Sequence, residues 1–262
     1  MQEIIITTVV IGVIGLIIGI ALVAAGKKFY VAVDEKAIAV RECLPGNNCG
    51  ACGYAGCDAV AAAIAAGDAP VNACPVCSAD AVAKIGGVMG VEAEAAQRKT
   101  AQVKCSGDCE HTSAKCNYVG IEDCRAAALA GLNTGSCTFG CLGYGSCVKA
   151  CTYDAIHVVN GVAKVDTSKC VGCGMCAKAC PKGLIEVVRA DRTFVVQCSN
   201  KDRGPAVKKV CSAGCLGCGA CVKQCEHDAI HVEGNLAYID YDKCVGCGKC
   251  AEKCPAKNIV RQ

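Results

Sequence analysis

Apolar and polar positions divide the chain into unequal pieces. Ile4 to Ala25 form an uncharged apolar run of 22 residues, followed by Lys27 and Lys28. That length is enough for a helix to cross a hydrocarbon core. Only Gln2 and Glu3 precede the run, where a signal peptide would carry positive charge. The pattern therefore predicts a transmembrane anchor over 1–28, single-pass in the cell membrane, with the remaining domains on the cytoplasmic side. Val33 to Leu44 has a helical pattern that stops at Pro45-Gly46, and AVAAAIAAG (59–67) reads as a helix of small residues. Residues 78–101 read as an Ala-rich helical connector. Beyond them the period shortens to two. DAIHV (154–158) with VAKVD (162–166), and DAIHV (228–232) with LAYID (236–240), read as strand pairs turned by NG at 160–161 and GN at 234–235.

The strand pairs belong to an internal repeat. A shift of 74 residues lays CLGYGSCVKACTYDAIHV (141–158) on CLGCGACVKQCEHDAIHV (215–232), and DTSKCVGCGMCAKACPKG (166–183) on DYDKCVGCGKCAEKCPAK (240–257). The second copy holds two C-x2-C-x2-C-x3-C runs. This is the ligand spacing of a two-cluster bacterial ferredoxin, in which the fourth cysteine of each run ligates the other cluster. That crossing assigns Cys215, Cys218, Cys221 and Cys254 to one [4Fe-4S] cluster, and Cys244, Cys247, Cys250 and Cys225 to its partner. Zinc is the competing use of C-x2-C pairs, but two full runs in tandem, the second closed by Pro255, favour iron–sulfur.

The first copy departs from the pattern at one ligand, with Tyr144 where the second has Cys218. Cys137, four residues before Cys141, is placed to substitute. The expected sets are Cys137, Cys141, Cys147 and Cys180, and Cys170, Cys173, Cys176 and Cys151. A three-iron cluster on Cys141, Cys147 and Cys180 is the alternative.

Composition sharpens this picture. The chain has 28 cysteines among 262 residues, no Trp, and 4% aromatics, so its cores must be small and built around inorganic centres. The x2 and x3 spacings are those of chelating loops and not of a disulfide framework. A net charge of +3 gives no reason to expect nucleic acid as a partner. No glycine run follows a strand in the G-x-G-x-x-G context, and no Ser/His/Asp set or paired acids suggest hydrolysis or a substrate pocket.

Upstream, NNCGACGYAGC (47–57) and a later Cys-Pro supply a further site, read as Cys49, Cys52, Cys57 and Cys74, with Cys77 competing for the fourth place. Five clusters use twenty cysteines. Of the remainder, Cys105, Cys124, Cys198 and Cys211 form either a sixth cluster joining the modules or a set of buried thiols. His111, His157, His227 and His231 read as packing or hydrogen-bonding residues. The fold expected is α+β, with an anchor at 1–28, a small helical [4Fe-4S] domain at 29–80, a connector and linker at 81–123, and ferredoxin-like modules at 124–190 and 191–262.

The apolar N-terminus, NNCGACGYAGC with its later Cys-Pro, GCLGYGSCVKAC and CVGCGMCAKACP together resemble the B subunit of the Rnf complex, in a long form with extra ferredoxin modules. The resemblance spans essentially the whole chain. It implies an electron conductor that accepts electrons from soluble reduced ferredoxin and passes them to other Rnf subunits, with NAD reduction coupled to Na+ or H+ transport across a membrane. A polyferredoxin serving another membrane oxidoreductase, such as a hydrogenase or a corrinoid-reducing system, is the alternative.

Overall fold

The computed structural model describes residues 2–28, 34–92, 97–131 and 134–262. Helix α1 covers Gln2–Lys28, but the anchor expected there needs correcting. Among the described residues no helix is long and apolar enough to cross a membrane. The expected single-pass placement in the cell membrane, with its cytoplasmic orientation, rested on that anchor and is corrected with it.

Three helices make the first domain: α2 (Glu35–Cys43), α3 (Cys57–Ala66) and α4 (Ala79–Met89). Val33, where the sequence pattern starts the first of these, lies outside the described residues. Asp34 caps α2 through its side chain, and Ser78 caps α4, so both starts follow ordinary N-cap chemistry. Val40, Val60, Ile64 and Ile85 meet in its core beside Cys57 and Cys74. The 78–101 connector is helical only to Met89. Its end is β1 (Lys99–Val103), a strand that belongs to the first module.

Each ferredoxin-like module holds two antiparallel pairs. In the first, β2 (Ile156–Val159) pairs with β3 (Val162–Val165), and β1 pairs with β4 (Ile185–Arg189). In the second, β6 (Ile230–Glu233) pairs with β7 (Leu236–Ile239), and β5 (Phe194–Val196) pairs with β8 (Ile259–Arg261). The outer pair joins the two ends of a module, so β1 and β5 are equivalent. Short helices follow the cysteine loops: α6 (Ser146–Lys149), α7 (Met175–Ala179), α9 (Ala220–Gln224) and α10 (Lys249–Glu252). Helix α5 (Cys124–Leu129) lies in a segment inserted into the first module, and α8 (Gly204–Val210) precedes the first run of the second.

The modules pack against each other through β1 and β5. Gln102 Nε2 donates to Val196 O at 3.4 Å, Ser199 Oγ to Lys104 O at 3.0 Å, and Ser106 Oγ to Gln197 Oε1 at 2.7 Å. Small cores of Ala, Val, Ile and Cys fill each module, as a chain with so few aromatics requires.

Candidate metal centres

All four cysteine loops are built alike. Each carries two glycines in the left-handed region, Gly143 and Gly145, Gly172 and Gly174, Gly217 and Gly219, Gly246 and Gly248. The first of each pair is closely covered. A Cβ on Gly143 would lie 2.7 Å from Gly161 O, and one on Gly217 would lie 2.7 Å from Asn235 O. Gly161 and Asn235 are equivalent turn residues of the two hairpins, so each hairpin turn rests on a cysteine loop. Backbone amides point at sulfur around these loops: Ala101 N–H at Cys170 Sγ (3.3 Å) and Ala229 N–H at Cys225 Sγ (3.4 Å). Such bonds favour an anionic, metal-bound sulfur.

In the second module, Cys225, Cys244, Cys247 and Cys250 ring one cavity, which His227 also lines. This is the set that the crossed pairing of runs describes. Burial pushes the Cys221 thiol up to about 11, with Cys215 and Cys254 beside it adding to the rise. Cys218 is exposed on the same loop. In the first module, burial likewise lifts Cys176 to about 11, with Cys170, Cys173 and Cys151 as its thiol neighbours.

The remaining first-module set differs from the expected one. Cys141, Cys147 and Cys180 share a cavity with Cys124, and Cys137 does not line it. Burial pushes Cys147 to about 12, and the neighbours that add to it are Cys141, Cys124 and Cys180. Cys137 lies instead around a second cavity with Cys105, Cys198 and Cys211, which Cys141 also borders. The physical reason is the inserted segment. Tyr144 turns toward it and packs on Tyr118 (ring centroids 5.3 Å apart) beside Cys124 and Leu142, and the Cys124 thiol lines the cavity of Cys141, Cys147 and Cys180. The equivalence of Cys137 and Cys211 under the 74-residue shift was the signal that could have separated these two sets from sequence.

In the first domain Cys57 and Cys74 are buried, with Cys52, Cys43 and Cys77 packed against the same core. A hydrogen bond between Cys77 and Cys74 lowers the Cys74 thiol and raises that of Cys77, so the two competing thiols lie side by side. Cys49 lies toward the first module, where it is among the neighbours that add to the burial-raised Cys173 thiol. Asn47 Nδ2 donates to Tyr153 Oη at 2.7 Å and ties the two domains at that point. The histidines have other partners: Asp154 for His157, Asp228 for His231, and Asp108 for His111.

Among the described residues no group of three or more His, Cys, Asp or Glu closes on a point where one metal ion would sit. A tetrahedral zinc needs four sulfurs within about 2.3 Å of such a point. The thiols here ring cavities, and all-thiol sets with inward N–H groups fit iron–sulfur centres, which have cysteine thiolates as their usual ligands.

Three family models match the chain: an Fe-S cluster family over residues 44–76, a 4Fe-4S binding domain over 163–186, and a 4Fe-4S dicluster domain over 214–258. The chain is 45% identical to the B subunit of the Na(+)-translocating ferredoxin:NAD(+) oxidoreductase complex of Acetobacterium woodii, over 89% of this chain and 71% of that one. It is 40% identical to the proton-translocating counterpart of Clostridium ljungdahlii (92% and 85% covered). To the B subunit of the ion-translocating oxidoreductase complex of Methanosarcina acetivorans it is 38% identical (94% of each).

Proposed function

The chain belongs to the family of B subunits of ion-translocating ferredoxin:NAD(+) oxidoreductase complexes and has an electron-transfer role in such a complex; from that premise we propose that it accepts electrons from a reduced ferredoxin and passes them to the complex's other subunits. The Rnf-type resemblance of the sequence thus stands. Bound [4Fe-4S] clusters supply low-potential one-electron carriers. The protein's part is to hold them close together, exclude water and set their potentials through N–H groups aimed at sulfur.

We assign five clusters to this chain. Their ligands are Cys49, Cys52, Cys57 and Cys74; Cys151, Cys170, Cys173 and Cys176; Cys124, Cys141, Cys147 and Cys180; Cys215, Cys218, Cys221 and Cys254; and Cys225, Cys244, Cys247 and Cys250. The observation that carries the reading is the adjacency of these sets. Cys49 is among the charged neighbours of Cys173, and each module interleaves its two runs, so within the N-terminal half and within each module the thiol sets are grouped and not isolated structural sites. One relative is named for sodium translocation and another for proton translocation. Either ion requires the assembled complex to sit in a membrane, and the coupling step belongs to that assembly.

The test is NAD(+) reduction by reduced ferredoxin in the assembled complex with and without this chain. The rate is expected to fall to background without it and to return when the iron-loaded chain is added back. An unchanged rate overturns the proposal.

A further inference from the structure

Four of the five cysteines around the cavity between the modules, Cys105, Cys137, Cys198 and Cys211, are not needed by the five sets above. They come in equivalent pairs. Cys105 lies two residues beyond the last residue of β1, Val103, and Cys198 lies two beyond the last residue of β5, Val196. Cys137 precedes Cys141 by four residues, as Cys211 precedes Cys215. Each module therefore contributes the same two positions, and the two contributions meet face to face around one cavity.

The walls of that cavity are made for sulfur. A Cβ on Gly107 would lie 3.3 Å from Cys211 Sγ and 3.7 Å from Cys105 Sγ, so glycine there lets thiols from different modules approach the same stretch of backbone. Asn200 is 2% exposed and donates from Nδ2 to Cys137 Sγ at 3.4 Å. The Cys215 amide donates to Cys198 Sγ at 3.3 Å. Burial raises the Cys105, Cys198 and Cys211 thiols, and Cys137 is among the neighbours that raise all three further. A buried amide and a buried carboxamide aimed at sulfur are what a bound anionic cluster uses, and a purely apolar thiol core has no use for them.

We infer that a sixth [4Fe-4S] cluster sits at the joint between the two ferredoxin modules, held by Cys105 and Cys137 from the first and by Cys198 and Cys211 from the second. The inference rests on the iron–sulfur reading of the other sets and extends it. Its neighbours give it a place in the series. Cys141, a ligand of the first module, borders the same cavity, and the amide of Cys215, a ligand of the second, bonds Cys198. A cluster held by these four thiols would carry one electron at a time between the two modules, with no proton or further reactant involved. Without it the two modules would be separate wires.

Iron, zinc and acid-labile sulfide per polypeptide test this in the full chain, purified without oxygen, together with the spins integrated by electron paramagnetic resonance after full reduction. Six clusters give about twenty-four irons. The double variants Cys105→Ala/Cys211→Ala and Cys137→Ala/Cys198→Ala are each expected to lose about four irons and one cluster's worth of spin. The quadruple variant is expected to lose no more than either double. The roughly twenty irons retained in each variant show that the other sites, and hence the fold, survive. A wild-type count of about twenty, one zinc per chain that disappears with these variants, or losses that add in the quadruple variant each overturn the joint cluster. A chain with no iron–sulfur chromophore would instead overturn the reading on which it rests.

Discussion

The backbone amide of Cys124 donates a 2.8 Å hydrogen bond to the hydroxyl of Ser146, the residue just before Cys147. Ser146 Oγ in turn donates to Asp123 Oδ2 at 2.7 Å, and Asp123 Oδ1 accepts from the Arg125 and Ala126 amides to cap α5. One serine thus fixes the start of the inserted helix against the cysteine loop. The second module has Ala220 at the equivalent position, and Cys218 where the first has Tyr144. The two differences occur together: the loop with Tyr144 in place of a cysteine carries the hydroxyl that bonds the Cys124 amide.

Ser146→Ala leaves the buried amide of Cys124 without its acceptor. The expected cost is about 1–3 kcal/mol. Urea unfolding of the iron-loaded chain should show the lower midpoint, and an unchanged midpoint would mean that the bond positions nothing.

Cys124→Ala should cost the first module about four irons, one cluster's worth. Adding Tyr144→Cys restores the regular four-cysteine run and should return that iron. If the single variant keeps its full iron content, Cys124 is not a ligand.

Gly217 and Gly219 both have left-handed backbones, at φ of 62° and 71°. Only Gly217 is covered, by Asn235 O at 2.7 Å from a built Cβ, while nothing lies within 4 Å of one at Gly219. Gly219→Ala should cost about 1–2 kcal/mol for the backbone alone. Gly217→Ala should cost more than that, because the hairpin turn must also move. Thermal unfolding of the two variants side by side measures the difference, and equal losses would refute it.

Asn47→Ala removes the 2.7 Å bond to Tyr153 that ties the N-terminal domain to the first module. A net loss of about 1 kcal/mol corresponds to roughly fivefold faster opening. Hydrogen exchange of the 47–57 loop should speed up by that factor while exchange in β6 and β7 stays the same.

Stripping the iron under oxidising conditions with a chelator should collapse both modules. Their cores contain Cys147, Cys170 and Cys176 in one case and Cys198, Cys215 and Cys221 in the other, among short strands of three to five residues. Far-ultraviolet circular dichroism is expected to lose its strand signal as the visible chromophore bleaches. Strand signal that outlives the chromophore would show that the apolar contacts suffice.

Most of the local chemistry was legible in the order of residues. Runs such as Cys244, Cys247 and Cys250 lie on one tight loop, so their spacing alone brings them to a common centre, and the hairpins 156–165 and 230–239 follow from alternation and an Asn-Gly or Gly-Asn turn. The 74-residue shift likewise exposed the two modules and the odd position at Tyr144. Which distant thiol lies nearest that position depends on packing. Cys124 and Cys137 both precede Cys141 in the chain, and nearness in sequence favours Cys137. The inserted segment folds back through Ser146 and Tyr118 and brings Cys124 to the cavity of Cys141, Cys147 and Cys180, while Cys137 lines the cavity that Cys211 reaches from the other module. Groupings set by a loop's own spacing are local and can be read, whereas thiols brought together by packing between modules depend on contacts that the spacing within one loop does not encode, and only the repeat hints at them.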